Sequence, residues 1–219
     1  DKRAFSFSRP FGSYVMENVL FKISFPAEFH AQTACEAAVT LHPLVRNRLH
    51  EIDRIVITTH ESAIRIISKV GPLANAADRD HCLQYMTAVP LIFGNLVAEH
   101  YEDSFHAAHP TIDRLREKME VVEEPRFSRE YLEADKRSIA NALQVFFNDG
   151  SSTEQVTVEY PIGHRRRRAE GIPLLEEKFK PNLATRFAGQ RCAQIFALCK
   201  AQAQLEATPV QRFVDLFVI

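Results

Sequence analysis

The chain has 219 residues, 46% hydrophobic and 25% charged, enough apolar material for one large domain or two small ones. A formal charge of −1 supplies no global field toward nucleic acid or an anionic membrane, so an acidic small molecule must be held by local basic groups. No apolar run reaches the roughly 18 residues of a membrane span, and no cysteine pair has the CxxC spacing of a zinc ribbon or a thioredoxin motif.

Residues 1–18 read as an extended lead-in broken by Pro10 and Gly12, and the opening AFSFSRPFGSY, poor in charge, suggests that a preceding region is missing. Residues 19–25 (VLFKISF) mix β-branched and aromatic side chains and predict a strand ended by Pro26. Residues 29–41 are Ala-rich with helical apolar spacing, and His42-Pro43 should close that helix. A mostly buried strand is expected within 51–60 and a short helix over 61–70, stopped by Gly71-Pro72. The longest helix is predicted over 75–103, with Asp78 and Asp80 in its first turn and Pro90 kinking or splitting it.

A short amphipathic helix over 111–119 and a strand over 120–124 follow. Residues 139–147 and 155–160 flank NDGSST as a β-hairpin. Helices are then expected over 171–187, 188–207 and 209–217. The order predicts an α+β domain over 1–160 and a helical carboxyl-terminal segment over 161–219, too thin to bury its own faces.

The four cysteines, Cys35, Cys82, Cys192 and Cys199, read as reduced thiols of a cytoplasm-like compartment. Cys192 and Cys199 lie two turns apart on one helical face, roughly 10 Å, beyond disulfide reach. His100, His106 and His109 match no metal-ligand spacing, so no metal is expected. GxSxG, P-loop and GxGxxG motifs are absent from the sequence.

Long irregular strings run through the chain: RPFGSYVMENVLFKISFPAEFHAQTACEAA, RIVITTHESAIRII, GPLANAADRDHCLQYM, KRSIANAL, VEYPIGHRRRRAEGIP and the closing FVDLFVI. Together they resemble the carboxyl-terminal part of the MmgE/PrpD superfamily. The resemblance implies an α+β lid followed by terminal helices that return to a large all-helical domain, here the missing amino-terminal partner. It implies a hydro-lyase that removes water from 2-methylcitrate to give 2-methyl-cis-aconitate in propionate catabolism, working in the cytoplasm. No cofactor is implied; the iron–sulfur cluster of aconitase is not the usual chemistry of this superfamily. Other members decarboxylate cis-aconitate or epimerise iminodisuccinate, so a related polycarboxylate is an alternative substrate. A polycarboxylate-binding or assembly module without catalysis is a further alternative, and a second copy of the chain is a candidate partner; nucleic acid and membrane are not.

Such a dehydration needs a base beside a carboxylate, an acid for the departing hydroxyl, and cations or dipoles for the carboxylates. His30 is the candidate proton carrier, since its ordinary pKa is about 6.5. By the resemblance Lys22 lines the site, one residue further from Pro26 than its counterparts, and Gln32 stands where some relatives have His. Glu28, two residues before His30, is a candidate substrate contact. Arg79 and His81 sit at an expected helix start, where free N–H groups attract anions, although Asp78 and Asp80 as helix caps explain the same residues. In His164-Arg165-Arg166-Arg167-Arg168, Arg166 and Arg167 are candidate carboxylate forks; pairing with Glu170, Glu176 and Glu177 is the alternative.

Overall fold

The structure is a computed structural model that describes residues 22–219. The described residues divide into two compact units, one over Ser24–His164 and the other over Arg165–Ile219 with Lys22 and Ile23.

In the first unit, helix α1 (Gln32–Val45) buries Ala34, Ala37, Ala38, Leu41 and Val45, a stripe at helical spacing. Its small side chains let it pack closely on α4 (Leu83–Phe93), which is buried on nearly every face from Leu83 to Leu91. The expected stop at His42-Pro43 is corrected: the helix runs to Val45, whose side chain is buried, and Arg46 N donates to the His42 carbonyl at 2.9 Å. The expected helix over 75–103 is also corrected. It breaks into α3 (Ala76–Asp80) and α4 because Cys82 is extended, at φ −122° and ψ 107°. It ends at Gly94, whose φ of 77° makes it a left-handed cap. Pro90 sits harmlessly in the last turn.

Between them, β1 (Ile52–Thr59) precedes α2 (Glu61–Ile67). After α4 come a 3-10 turn over Ala98–Tyr101, α5 (Asp103–Ala108) and α6 (Thr111–Arg116), the last of these within the short helix expected over 111–119. Strand β2 (Met119–Glu123) takes Met119 from the expected helix. Helix α7 (Pro125–Leu132) was not anticipated; Pro125 opens it and the Glu124 carboxylate accepts from Arg126 N at 2.9 Å. Strands β3 (Asn141–Phe147) and β4 (Val156–Val158) form the expected hairpin, with Gly150 in the turn at φ 82°.

The sheet order is β2-β1-β3-β4. β1 runs parallel to β2 (Ile57 opposite Val121) and antiparallel to β3 (Ile57 opposite Leu143). The parallel pair is closed by the long helical crossover that begins at α2. Ile52, Ile55 and Ile57 point into the core shared with α1 and α4. Of the strand expected over 19–25, residues 19–21 lie outside the described residues, and residues 22–25 are irregular. The Phe25 carbonyl, like that of Ala27, accepts from Gln32 Nε2 (3.0 and 2.7 Å) instead of from a neighbouring strand.

The second unit holds α8 (Arg168–Ala184), α9 (Gly189–Lys200), α10 (Gln202–Ala207) and α11 (Val210–Asp215). The helix expected over 188–207 is broken at Ala201, which leaves helical geometry at φ −98° and ψ 82°. Leu183, Ile195 and Leu198 are buried, while Ile172, Leu174, Val210, Val214 and Ile219 are exposed. No described helix is long and apolar enough to cross a membrane. All four cysteines are free thiols, Cys35 and Cys82 buried.

Candidate active site

Four separate segments of the first unit meet at His30. A 3-10 turn over Phe29–Ala31 leads into α1, and Glu28 caps it by accepting from His30 N at 2.8 Å. The same carboxylate holds Nδ1 of the His30 ring, at 2.9 and 3.0 Å. The end of α7 brings the Tyr131 hydroxyl to 3.1 Å from His30 Nε2. The end of β1 delivers His60, whose ring lies 5.2 Å from that of His30 and stacks on Tyr131 at 4.6 Å with planes 11° apart. From the start of β3, Asn141 Nδ2 donates to the His30 carbonyl (2.8 Å) and to Thr33 Oγ1 (2.7 Å), while Thr33 Oγ1 donates to the Ile139 carbonyl at 2.5 Å.

The hydrogen bonds fix the tautomer. A carboxylate only accepts, so Nδ1 of His30 carries a proton and, in the neutral ring, Nε2 accepts from the Tyr131 hydroxyl. Burial would raise the Glu28 carboxyl, but hydrogen bonds from the His30 ring and backbone, with the charges of His30 and His81, hold it below the usual carboxylate range. His60 is wholly buried, and neither of its ring nitrogens has a hydrogen-bond partner. Burial, reinforced by the charge of His30, pushes its pKa down to about 4, so it is neutral at pH 7. Thr59 Oγ1 and Asn141 Oδ1 are likewise buried without partners. The arrangement is a carboxylate–imidazole–phenol line with a neutral ring packed behind it, a geometry suited to moving a proton.

Of the residues singled out in the sequence, Glu28 and His30 are in direct contact, and His81 is close enough to act on the Glu28 carboxyl electrostatically. His81 is exposed, its Nδ1 2.5 Å from the Asp80 carboxylate. Arg79 is buried; its Nε donates to the Tyr101 carbonyl at 2.8 Å and its guanidinium pairs with Asp103. Lys22, Arg166 and Arg167 belong to the other unit. Lys22 is exposed, and its carbonyl accepts from Lys178 Nζ at 2.8 Å. Arg166 is exposed in a short 3-10 turn, and Arg167 makes a two-pronged pair with Glu170 at 2.9 and 2.8 Å. Gln32 is a buried brace on the chain entering the site. His106 faces Asp113 at 2.8 Å, and His109 Nδ1 donates to the Phe105 carbonyl at 2.7 Å.

Sequence reasoning missed His60 and Tyr131. A histidine directly after a β-branched strand, as in ITTH, was a usable signal for His60. Nothing local marked Tyr131, because its helix was itself unforeseen.

The description "MmgE/PrpD C-terminal domain" matches residues 25–202 of this chain. The 2-methylcitrate dehydratase of Cupriavidus necator is 56% identical over 218 residues, covering 98% of this chain and 45% of that protein. The enzyme of that name from Escherichia coli (strain K12) is 53% identical, over 99% of this chain and 45% of its own length. The mitochondrial 2-methylcitrate dehydratase of Yarrowia lipolytica is 52% identical, over 99% of this chain and 42% of its own. The chain thus spans less than half the length of these relatives.

Proposed function

The chain belongs to the MmgE/PrpD C-terminal domain family, and we propose that it forms one wall of the active site of a hydro-lyase that converts 2-methylcitrate to 2-methyl-cis-aconitate. The observation that carries this reading is the fixed line from Glu28 through His30 to Tyr131, beside a likeness to dehydratases that extends over nearly the whole chain.

In this reading His30 is the proton carrier. Glu28 binds Nδ1–H and so leaves the Nε2 lone pair, which accepts from the Tyr131 hydroxyl, as the position that takes a proton and returns it. The substrate carbon that loses the proton lies next to a carboxylate, and the electrons left behind form the new double bond as hydroxide leaves with a proton. Cations must hold the carboxylates throughout. Lys22, His81, Arg166 and Arg167 are proposed for that task. Arg79, two residues before His81, is proposed for the same task, its guanidinium here engaged by the Tyr101 carbonyl and Asp103. No cofactor is proposed.

Residues 1–160 are proposed as the lid and 161–219 as helices of a large domain, most of which the amino-terminal half of such an enzyme would supply. The exposed Ile172, Leu174, Val210 and Val214 support that reading of the terminal helices. A compartment that keeps thiols reduced, such as the cytoplasm, is proposed from the four free cysteines.

The test is an ultraviolet assay for the unsaturated tricarboxylate formed from 2-methylcitrate. The chain alone should be inactive, or nearly so. Mixing it with the separately expressed amino-terminal half of the Cupriavidus necator enzyme should restore turnover, and His30→Ala should then lower it by about 10²- to 10⁴-fold. Full activity of the chain alone would refute the proposed division. An unchanged rate in His30→Ala would refute the role of His30.

A further inference from the structure

A pocket of about 430 Å³ lies at the end of the first unit remote from His30. Arg46, at the end of α1, and His50 line it from one side, and Arg114 and Lys118, in and just after α6, from the other; Asn47 and Thr111 complete its polar lining. No Asp or Glu lines it. Among the described residues, Arg46, Arg114 and Lys118 have no carboxylate within ion-pair distance, whereas His50 faces Glu51 at 3.6 Å and neighbouring Arg48 is taken by Glu51 (2.6 Å) and Asp149 (2.8 Å). Arg114 donates to Thr111 Oγ1 at 2.7 Å and Lys118 Nζ to the Ile52 carbonyl, so both are oriented without being neutralised.

Gathering Arg46, Arg114 and Lys118 around one concavity with no carboxylate in its lining costs free energy through their mutual repulsion. The carboxyl ends of α1 and α6 offset part of that cost, but they do not require the charges to converge on a pocket. A bound oxyanion would relieve the repulsion, and arginine forks suit its geometry. The volume falls in the range of small-molecule sites, about 300–1,000 Å³.

We infer that this pocket binds a compact oxyanion of at least two negative charges, at a site separate from the His30 cluster. Helix α1 separates the two: its 14 residues span about 21 Å, longer than any compact tricarboxylate.

The test is calorimetric titration of the 219-residue chain at low salt, with pyrophosphate and citrate as probes. At least one probe should bind with 1:1 saturation. The double variant Arg46→Glu, Arg114→Glu should weaken that binding at least about tenfold, while Arg65→Glu, Arg212→Glu, with the same change in net charge elsewhere, should leave it within about twofold. His30→Ala should leave it unchanged, which separates this site from the proposed catalytic one. Arg46→Gln, Arg114→Gln repeats the test should the charge reversals disturb folding. Saturation by pyrophosphate alone supports a phosphate-bearing ligand, and saturation by both probes supports polycarboxylates as well. The inference is overturned by no saturable binding of either probe up to about 10 mM, by equal loss in both charge-reversed variants, or by loss of the binding in His30→Ala.

Discussion

The hydroxyl of Tyr131 lies 3.1 Å from Nε2 of His30, although 101 positions separate the two residues in the chain. Because Glu28 occupies the opposite ring nitrogen, Tyr131 is the partner through which the imidazole faces outward. Substitution at either end of this line should therefore be readable at the ring between them.

Glu28→Gln should release the His30 tautomer. In the wild type, nitrogen-15 spectra recorded where the ring is neutral should show its proton on Nδ1. In the variant, an amide that donates as well as accepts should give a mixture of the two tautomers. A spectrum still showing only the Nδ1–H form would mean that Glu28 does not set the proton's position.

Acid should weaken the fold through His60. Its folded pKa, about 4, lies below the ordinary 6.5, so the neutral ring is favoured by folding. That contribution is complete above pH 6.5 and is lost as pH falls toward 4; the full drop corresponds to about 3 kcal/mol. Urea midpoints measured between pH 7 and pH 4 should fall less steeply for His60→Phe, which keeps a ring against Tyr131. Equal slopes would show that His60 does not titrate in this way.

Asn141→Leu should destabilise the first unit by about 1–3 kcal/mol. It removes both hydrogen bonds from Nδ2 and leaves the His30 carbonyl without its donor. Chemical denaturation would measure the loss, and the His30 ring resonances should broaden or shift with it.

Gly94→Ala should cost about 1–2 kcal/mol. Gly94 has φ 77°, and an added Cβ would sit 2.8 Å from Cδ2 of His42. That ring is itself held by its Nδ1 bond to the Leu91 carbonyl at 2.9 Å, so it does not swing away freely. A thermal midpoint equal to that of the wild type would show that the turn relaxes.

What could be read from the sequence was local. The apolar periods of α1 and β1, the turn residues around Gly150 and the candidacy of His30 all lie within short windows. Helix ends were harder, because burial of Val45 carries α1 past Pro43 and an extended Cys82 interrupts an otherwise continuous helical pattern. The rest of the site depends on contacts between distant segments. His60 and Tyr131 meet His30 only because β1 and α7 end beside the start of α1, and no nearby spacing records that meeting. Arg79, attractive at a helix start, turns out to be buried against Tyr101 and Asp103, a tertiary arrangement invisible in the motif.

The sheet order also sets a timetable. β1 sits between β2 and β3, and each of its partners begins more than sixty residues after it starts. During synthesis, the ribosome must add 101 residues after His30 before Tyr131 exists, an interval of about 5–20 s at ordinary elongation rates. Within that interval β1 is complete at Thr59 while β2 does not begin until Met119, so for 60 residues of synthesis both edges of β1 lack their strands and the apolar face of α1 lacks much of its cover. A nascent chain at this stage is the form most exposed to aggregation and most in need of a chaperone.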